Sequence, residues 1–454
     1  MKKETNNLNV AVIGSGYVGL VAGVCLAEGG HRVFCADNSE QRVCDLNEVK
    51  PGSHDPELTP LLTQELQKNM ISFTADVKSV VQNAKNIIVA VGTPEGEDGR
   101  ANLESIFDVC KVIGDSITES KTIMIKSTVP IGTTDKFRQL LLDRLANRGL
   151  TFNPVVVHTP EFLVAGKAIE GFKELDRLVI GCKPGDDVQS IIDLFSPYTP
   201  EPSRVLIMDT KEAELCKYMN NCMLATRISF VNEMSNIAKA YGVDIYGPLR
   251  SMKLDKRIGS HYLHPGLGYG GSCLPKDVKA LIGMGQDAGY DVAFLQAVDV
   301  LNDGQVPIFC NTIKEYFNGS LAGKKIAVWG VSFKAGTVDT RKSPGLQVID
   351  FLNANGAIVK LYDSNIKDCE FLPDGVSINN SKEDVLIDSD ALVVCTDEQE
   401  FAEFNFEEMK KNPSKPDVIF DGKGKLKLQL LRDLGFEYYV AGKFHNRDDA
   451  LDQK

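Results

Sequence analysis

Asn9-Val10-Ala11-Val12-Ile13-Gly14-Ser15-Gly16-Tyr17-Val18-Gly19, then an apolar run from Leu20 to Glu28, then His31-Arg32-Val33-Phe34-Cys35-Ala36-Asp37: this opening stretch decides the fold. It reads as a strand, a G-x-G-x-x-G turn, a helix and a second strand ending in an acid, which is a βαβ dinucleotide unit. Gly14 makes the tight turn. Gly16 lets the backbone approach a pyrophosphate, and Gly19 allows close helix packing. Asp37 is placed to accept hydrogen bonds from the adenosine ribose, and its charge repels a 2′-phosphate, which favours NAD over NADP. A tight turn without a ligand is the competing reading, and the complete context stands against it.

Working outward, further apolar strands are expected at 86–91, 122–127, 155–158, 178–181 and 205–208, with helical patterns between several of them. That alternation implies a largely parallel, doubly wound sheet. From Glu212 to Ala240 there is neither Gly nor Pro, and the spacing predicts one long helix or two joined ones. Helical character resumes from Asp277 to about Asn318, and a linker follows at 317–323. A second α/β unit starts at Lys325, with later strands at 358–362, 391–395, 418–420 and 437–440. The fold class is therefore α/β, two Rossmann-like doubly wound domains joined by a long central helix. The expected boundaries are 1–209, 210–318 and 319–454, with a loose polar tail from His445 to Lys454.

Composition narrows the function. A net charge of −12 argues against a general nucleic-acid binder, though a local basic cluster can still hold an anionic small molecule. The polar start Met1–Asn7 leads to no signal peptide, and no apolar run reaches the roughly 18 residues of a membrane span. Eleven scattered cysteines suggest a reducing compartment, hence the cytoplasm. The six histidines show no ligand spacing with cysteines, so no structural metal is expected.

Chemistry is concentrated in Gly268-Tyr269-Gly270-Gly271-Ser272-Cys273-Leu274-Pro275-Lys276-Asp277. Pro275 suits the first turn of a helix. A cysteine at that helix's N-terminus feels the positive end of the dipole, which favours the thiolate. Lys276 adds charge, and Asp277 a carboxylate. By contrast Cys25, Cys35, Cys44, Cys110 and Cys395 lie in apolar periodic segments and read as core. Lys217 and Asn221 are four apart on the long helix and share a face, as oxyanion donors or as a solvated polar face. Thr128 and Glu161 follow predicted strands, at the carboxyl ends where α/β sites assemble, though such positions also serve as loop caps.

The ordered set G-S-G-Y-V-G, V-G-T-P, K-S-T-V, P-E-F-L, E-A-E-L-x-K-Y-x-x-N, G-Y-G-G-S-C-L-P-K-D and F-K-x-x-T-x-D-T-R resembles the UDP-glucose/GDP-mannose 6-dehydrogenase family over roughly residues 8–442. The resemblance implies an NAD domain, a helical dimerisation core and a nucleotide-sugar domain. It implies two successive oxidations of a sugar C6 by NAD, through a thiohemiacetal and a thioester on Cys273. Lys217 and Asn221 would hold the oxyanion, Asp277 and Thr128 would position water, and Glu161 would act as base. Cofactor contacts fall on Gly14, Gly16, Tyr17, Val18, Gly19, Asp37, Arg42, Thr93, Thr128, Lys276 and Arg341. Substrate contacts fall on Glu161, Phe162, Leu163, Lys217, Asn221, Tyr262, Leu263, Gly268, Tyr269, Gly270, Phe333 and Lys334, with Arg257 reaching a neighbouring subunit's sugar site.

An apolar excess at Met219, Met223, Val231 and Met234 fits a homodimer or larger assembly. The family often has a glutamate where this chain has Ala165, an arginine where it has Lys423, and another side chain at His264. The segments 175–181 and 333–341 look more like the UDP-glucose branch, so UDP-glucose is the expected substrate. GDP-mannose or an N-acetylated UDP-hexose is the alternative. A catalytically silent nucleotide-sugar-binding regulator is the non-enzyme alternative, against which intact Cys273, Lys217, Asn221 and Asp277 count.

Overall fold

The computed structural model describes residues 8–52, 55–199 and 201–441. The expectations for Met1–Asn7 and for the tail from His445 to Lys454 lie outside the described residues. The chain divides into two compact units, Met1–Asn220 with Gly283–Gly289, and Asn221–Ile282 with Tyr290–Lys454.

The first unit carries eight strands: β1 (Asn9–Ile13), β2 (Arg32–Ala36), β3 (Ile71–Thr74), β4 (Asn86–Val89), β5 (Thr122–Ile125), β6 (Val155–His158), β7 (Leu178–Gly181) and β8 (Val205–Met208). Their order is β3-β2-β1-β4-β5-β6-β7-β8. All pairs are parallel except β6 with β7, which meet antiparallel at His158 and Gly181. The order reverses between β1 and β4, the switch point at which doubly wound sheets bind ligands. Both faces are covered, so strand residues alternate between two cores. Val10 and Val12 enter one core with Leu20, Val24 and Met124, and Ala11 and Ile13 enter the other with Ile87, Ile123 and Phe137. The helix Tyr17–Glu28 is buried continuously from Gly19 to Ala27, which explains its lack of a polar stripe.

The second unit carries β9 (Lys325–Trp329), β10 (Ile358–Tyr362), β11 (Ile378–Asn379), β12 (Ala391–Val394), β13 (Val418–Asp421) and β14 (Glu437–Val440). Their order is β11-β10-β9-β12-β13-β14, all parallel, with its own switch point between β9 and β12. Here the turn after β9 keeps the first glycine, Gly330 at φ +91°, but Val331-Ser332-Phe333-Lys334 follows in place of the rest of the G-x-G-x-x-G pattern. The next helix starts only at Pro344, and Asp363 after β10 is buried, accepting the Val331 N–H at 2.8 Å. Unlike half-buried Asp37, Asp363 is fully buried, and its other oxygen accepts the Asn365 and Ile366 N–H groups at 2.9 and 3.1 Å, so this acid is spent on its own loop. The long helix is a single element, Thr210–Ala240, followed by helices Tyr246–Leu254, Leu274–Asp287 and Ala293–Tyr316.

Two expectations need correction. Cys44 is exposed, because the short helix Glu40–Asn47 buries only Leu46 and turns Cys44 to solvent. Val231 and Met234 are not surplus apolar surface: Val231 is buried and Met234 half-buried against Ile245, Leu249 and Leu263. Met219 and Met223 are exposed, and with Phe230 and Ile237 they form one stripe at helical spacing.

Candidate functional sites

The glycine turn after β1 tests whether a dinucleotide fits. A Cβ on Gly14 would lie 2.7 Å from the Ala90 oxygen, and Gly14 has φ +94°. A Cβ on Gly19 would lie 1.9 Å from the Gly14 oxygen, so helix and strand meet there at backbone distance. A Cβ on Gly16 would meet nothing within 4 Å. Gly14 and Gly19 are therefore glycines for folding, whereas nothing in the protein requires one at position 16. The open space it faces is where a pyrophosphate would lie, at the N-terminus of the helix that Tyr17 and Val18 begin. Asp37 is fixed by Ser15 N–H at 2.8 Å and Ser39 N–H at 3.0 Å. Arg42 donates to the Ser15 carbonyl oxygen at 3.0 and 3.1 Å and to the Pro51 carbonyl oxygen at 2.8 Å, so it braces the turn. Thr93 donates to the Thr128 carbonyl oxygen at 2.7 Å, tying together the loops after β4 and β5.

The loop after β6 holds the second group. Lys217 and Glu161 are both buried, and their Nζ and Oε1 lie 2.9 Å apart. The other Glu161 oxygen accepts the Leu163 N–H at 2.6 Å. Burial pushes the Glu161 carboxyl up, but Lys217, the Leu163 amide and Lys126 outweigh it and hold it below the usual range. The Phe162 ring is sandwiched by charge: the Arg177 guanidinium lies 3.8 Å and the Lys217 ammonium 5.6 Å from its centroid. The helix is seated against the sheet here because Gly181 lacks a Cβ, which would fall 2.4 Å from that of Ala213. Tyr17 accepts the Gly166 N–H at 3.1 Å, which links the glycine turn to the loop containing Ala165.

The third group surrounds the cysteine. The Cys273 carbonyl oxygen accepts the Asp277 N–H at 2.9 Å, so Cys273 stands at the N-cap of Leu274–Asp287 with its side chain exposed. Asp277 is buried, accepting Asn221 Nδ2 at 2.6 Å on one oxygen and Lys276 Nζ at 2.5 Å on the other. Asn221 is itself only 5% exposed and Lys217 only 4%, which removes the solvated-face reading of that pair. The loop carrying Cys273 is gripped from the segment after β9. Gly271 N–H donates to the Arg341 carbonyl oxygen at 2.9 Å, a Cβ on Gly270 would lie 2.2 Å from the Lys342 oxygen, and the Phe333 ring packs on Gly271. Lys334 and Arg341 both interact electrostatically with Cys273. Gly268, at φ +96°, and Tyr269 are held by Asn302, whose Oδ1 accepts the Tyr269 N–H at 2.8 Å. Tyr262 is exposed with φ 59°, while Leu263 is buried. Arg257 is exposed and paired with Asp255 at 2.6 Å.

A cluster that sequence reading missed lies in the same unit. His264 Nε2 is 3.3 Å from Lys253 Nζ, and Lys334, Lys423 and Lys425 face the same region around Asp397. Burial pushes the ammonium groups of Lys334 and Lys423 below their usual range, partly offset by Asp397. Burial, with Lys253 and Lys425, lowers His264 as well. Asp397 interacts with Lys334, Lys423 and His264, and Lys425 with Lys253, Lys423 and His264, so the region is locally basic in a chain of net negative charge. Lys334, Asp397, Lys423 and Lys425 follow β9, β12 and β13, at the carboxyl ends of the strands around the switch point.

A dinucleotide-binding oxidoreductase is the class that the glycine turn and its sheet define. Comparison with known proteins narrows it. Residues 8–199 match the NAD binding domain of the UDP-glucose/GDP-mannose dehydrogenase family, 211–304 its central domain and 327–428 its UDP binding domain. A UDP-glucose 6-dehydrogenase of Pseudomonas aeruginosa is 35% identical over 443 residues, covering 96% of this chain and 98% of that protein. Among solved structures, a UDP-glucose dehydrogenase from Pyrobaculum islandicum superposes with a TM-score of 0.85 at 30% identity, covering 98% of this chain and 100% of that one. A UDP-D-ManNAc dehydrogenase from Pyrococcus horikoshii gives 0.82 at 26%, covering 96% and 99%. The chain belongs to the UDP-glucose/GDP-mannose dehydrogenase family and is an NAD-dependent nucleotide-sugar dehydrogenase. Among the described residues no helix is long and apolar enough to cross a membrane.

Proposed function

We propose that this protein oxidises C6 of UDP-glucose to the carboxylate of UDP-glucuronate, with Cys273 as the covalent carrier. The observation that carries the reading is an exposed cysteine at a helix N-terminus, in the same unit as a basic cluster able to take a nucleotide diphosphate. Bound NAD supplies the hydride acceptor, one molecule for each two-electron step. Lys217 and Asn221 hold the C6 oxygen as its proton passes to water and a hydride leaves C6, giving the aldehyde. The Cys273 thiolate bonds to the C6 aldehyde carbon, giving a thiohemiacetal, and loss of a hydride from that carbon gives a thioester. Water then attacks the acyl carbon, Glu161 takes the water proton, and the thiolate leaves. Asp277 and Thr128 orient the water. Lys334 and Arg341 supply positive charge that interacts with Cys273.

The regions serving these roles are 1–209 for NAD, 210–318 for the central helices and 319–454 for the nucleotide sugar. The stripe at Met219, Met223, Phe230 and Ile237 supports a homodimer, in which exposed Arg257 would complete the partner's sugar site. Eleven cysteines without a disulfide fit a cytoplasmic protein. A second reading, an N-acetylated UDP-hexose as substrate, draws on the likeness to the Pyrococcus horikoshii enzyme and on Ala165. Measuring kcat/KM for UDP-glucose, UDP-galactose, UDP-N-acetylglucosamine, UDP-N-acetylmannosamine and GDP-mannose decides between them. UDP-glucose is expected to be highest. Preference for an N-acetylated sugar or for GDP-mannose overturns the substrate and leaves the thiol chemistry standing.

A further inference from the structure

Behind the Glu161–Lys217 pair lies a second buried cation that the reaction above does not use. Lys126 follows β5 and is 5% exposed; its Nζ lies 3.4 Å from the Thr159 carbonyl oxygen and 5.4 Å from the Phe195 ring centroid. Its neighbour His158, the last residue of β6, is fully buried, and neither imidazole nitrogen has a hydrogen-bond partner among the described residues. The charged and titratable groups facing this region are Glu161, Lys217 and His158, with Arg177 beyond the Phe162 ring and Tyr17 facing Glu161.

Two ammonium groups and one carboxylate are more positive charge than a static ion pair needs. The excess makes sense if one cation is periodically drawn away. When Lys217 turns to the C6 oxygen, a Glu161 balanced by Lys217 alone would become a buried, unpaired carboxylate, and it would take up a proton. A protonated Glu161 cannot accept one from water. We propose that Lys126 is a positioning residue for Glu161, a second cation that keeps the carboxylate ionised while Lys217 is engaged by substrate. This rests on the role given to Glu161 above. Burial, against the pull of Glu161 and with the push of Lys217, brings the Lys126 ammonium down to about 8. Burial and Lys126 lower His158 to about 3, so the imidazole adds no third charge.

The test uses the full-length protein and UDP-glucose with NAD. In single-turnover acid formation, Lys126→Met should move the acidic limb of the pH profile upward by about one unit or more, with KM changed less than about twofold. Lys126→Arg should restore the limb. An unmoved limb in a folded Lys126→Met protein overturns the inference, and so does an equal fall at every pH, which would mean packing alone. A second measurement needs no turnover. With lysine side chains labelled at Nζ by nitrogen-15, one ammonium should titrate near pH 8 in the wild-type protein and be missing in Lys126→Arg. If the signal missing in Lys126→Arg titrates above about 9.5 in the wild-type protein, the buried-cation arrangement is overturned even if Lys126→Met fails to fold. A wild-type protein that titrates as expected but makes no acid from any nucleotide sugar sinks the assigned reaction instead.

Discussion

Gly16→Ala separates the cofactor role of the glycine turn from its folding role. Gly16 has φ −65° and ψ −171°, which alanine adopts without strain, and its Cβ would meet no protein atom within 4 Å. Alanine at an N-cap is poorer than glycine by some tenths of a kcal/mol, and the stiffer unfolded chain returns a similar amount. Folding stability should therefore move by less than about 0.5 kcal/mol. The methyl group nevertheless occupies the space assigned to the pyrophosphate, so NAD should bind at least about tenfold more weakly, roughly 1.4 kcal/mol. Gly19→Ala should do the reverse. Its Cβ lies 1.9 Å from the Gly14 oxygen, so the helix must retreat from the strand. Overpacking of that kind costs about 1–3 kcal/mol or more, and each kcal/mol lowers Tm by about 2–4 °C in a domain this size. Calorimetric titration with NAD and thermal melts of both variants decide the matter. A Gly16→Ala protein that binds NAD within twofold of wild type would refute the placement of the pyrophosphate.

Two further outcomes follow from burial. The His158 imidazole, held near 3, cannot take the proton that the unfolded chain binds near its ordinary 6.5, so stability falls as pH falls through that window. His158→Leu should remove the slope, matching or exceeding wild type at pH 7 and surpassing it by about 2 kcal/mol at pH 5 in urea unfolding; parallel pH dependences would contradict this. Met219→Asp combined with Met223→Asp should convert the assembly to monomers in sedimentation velocity while leaving the melting temperature nearly unchanged, and a wild-type protein sedimenting as an active monomer would remove the shared-site reading of Arg257.

The glycine turn was legible because each glycine has a separate geometric duty, and spacing alone encodes those duties. The N-cap position of Cys273 was legible for the same kind of reason: Pro275 and the glycines before it mark a helix start. The common face of Lys217 and Asn221 followed from a spacing of four, but its burial did not, since periodicity cannot say what covers a face. Cys44 shows the same limit in the other direction, for an apolar pattern on a two-turn helix does not fix which side meets solvent. β3, I-S-F-T, buries only Ile71 and Phe73 on one side, so it lacks the continuous apolar run that marks four-residue strands such as Leu178–Gly181. His264, Lys334 and Lys423 were each singled out in the sequence, but their grouping with Lys253 and Lys425 was not legible, because three segments around 253–264, 334 and 423–425 meet only in the folded unit. Lys276 was legible as a charge near the thiol. That it also bonds Asp277, while Lys334 and Arg341 face the sulfur from another segment, required the structure.

The most direct test of the thiol-carrier mechanism is the yield of NADH per molecule of UDP-glucose consumed to completion, read alongside product analysis. The account predicts two NADH per sugar, a carboxylate product, no released aldehyde, and no acid from Cys273→Ala. One NADH per sugar with aldehyde accumulating, or near-normal acid formation by Cys273→Ala, would contradict it.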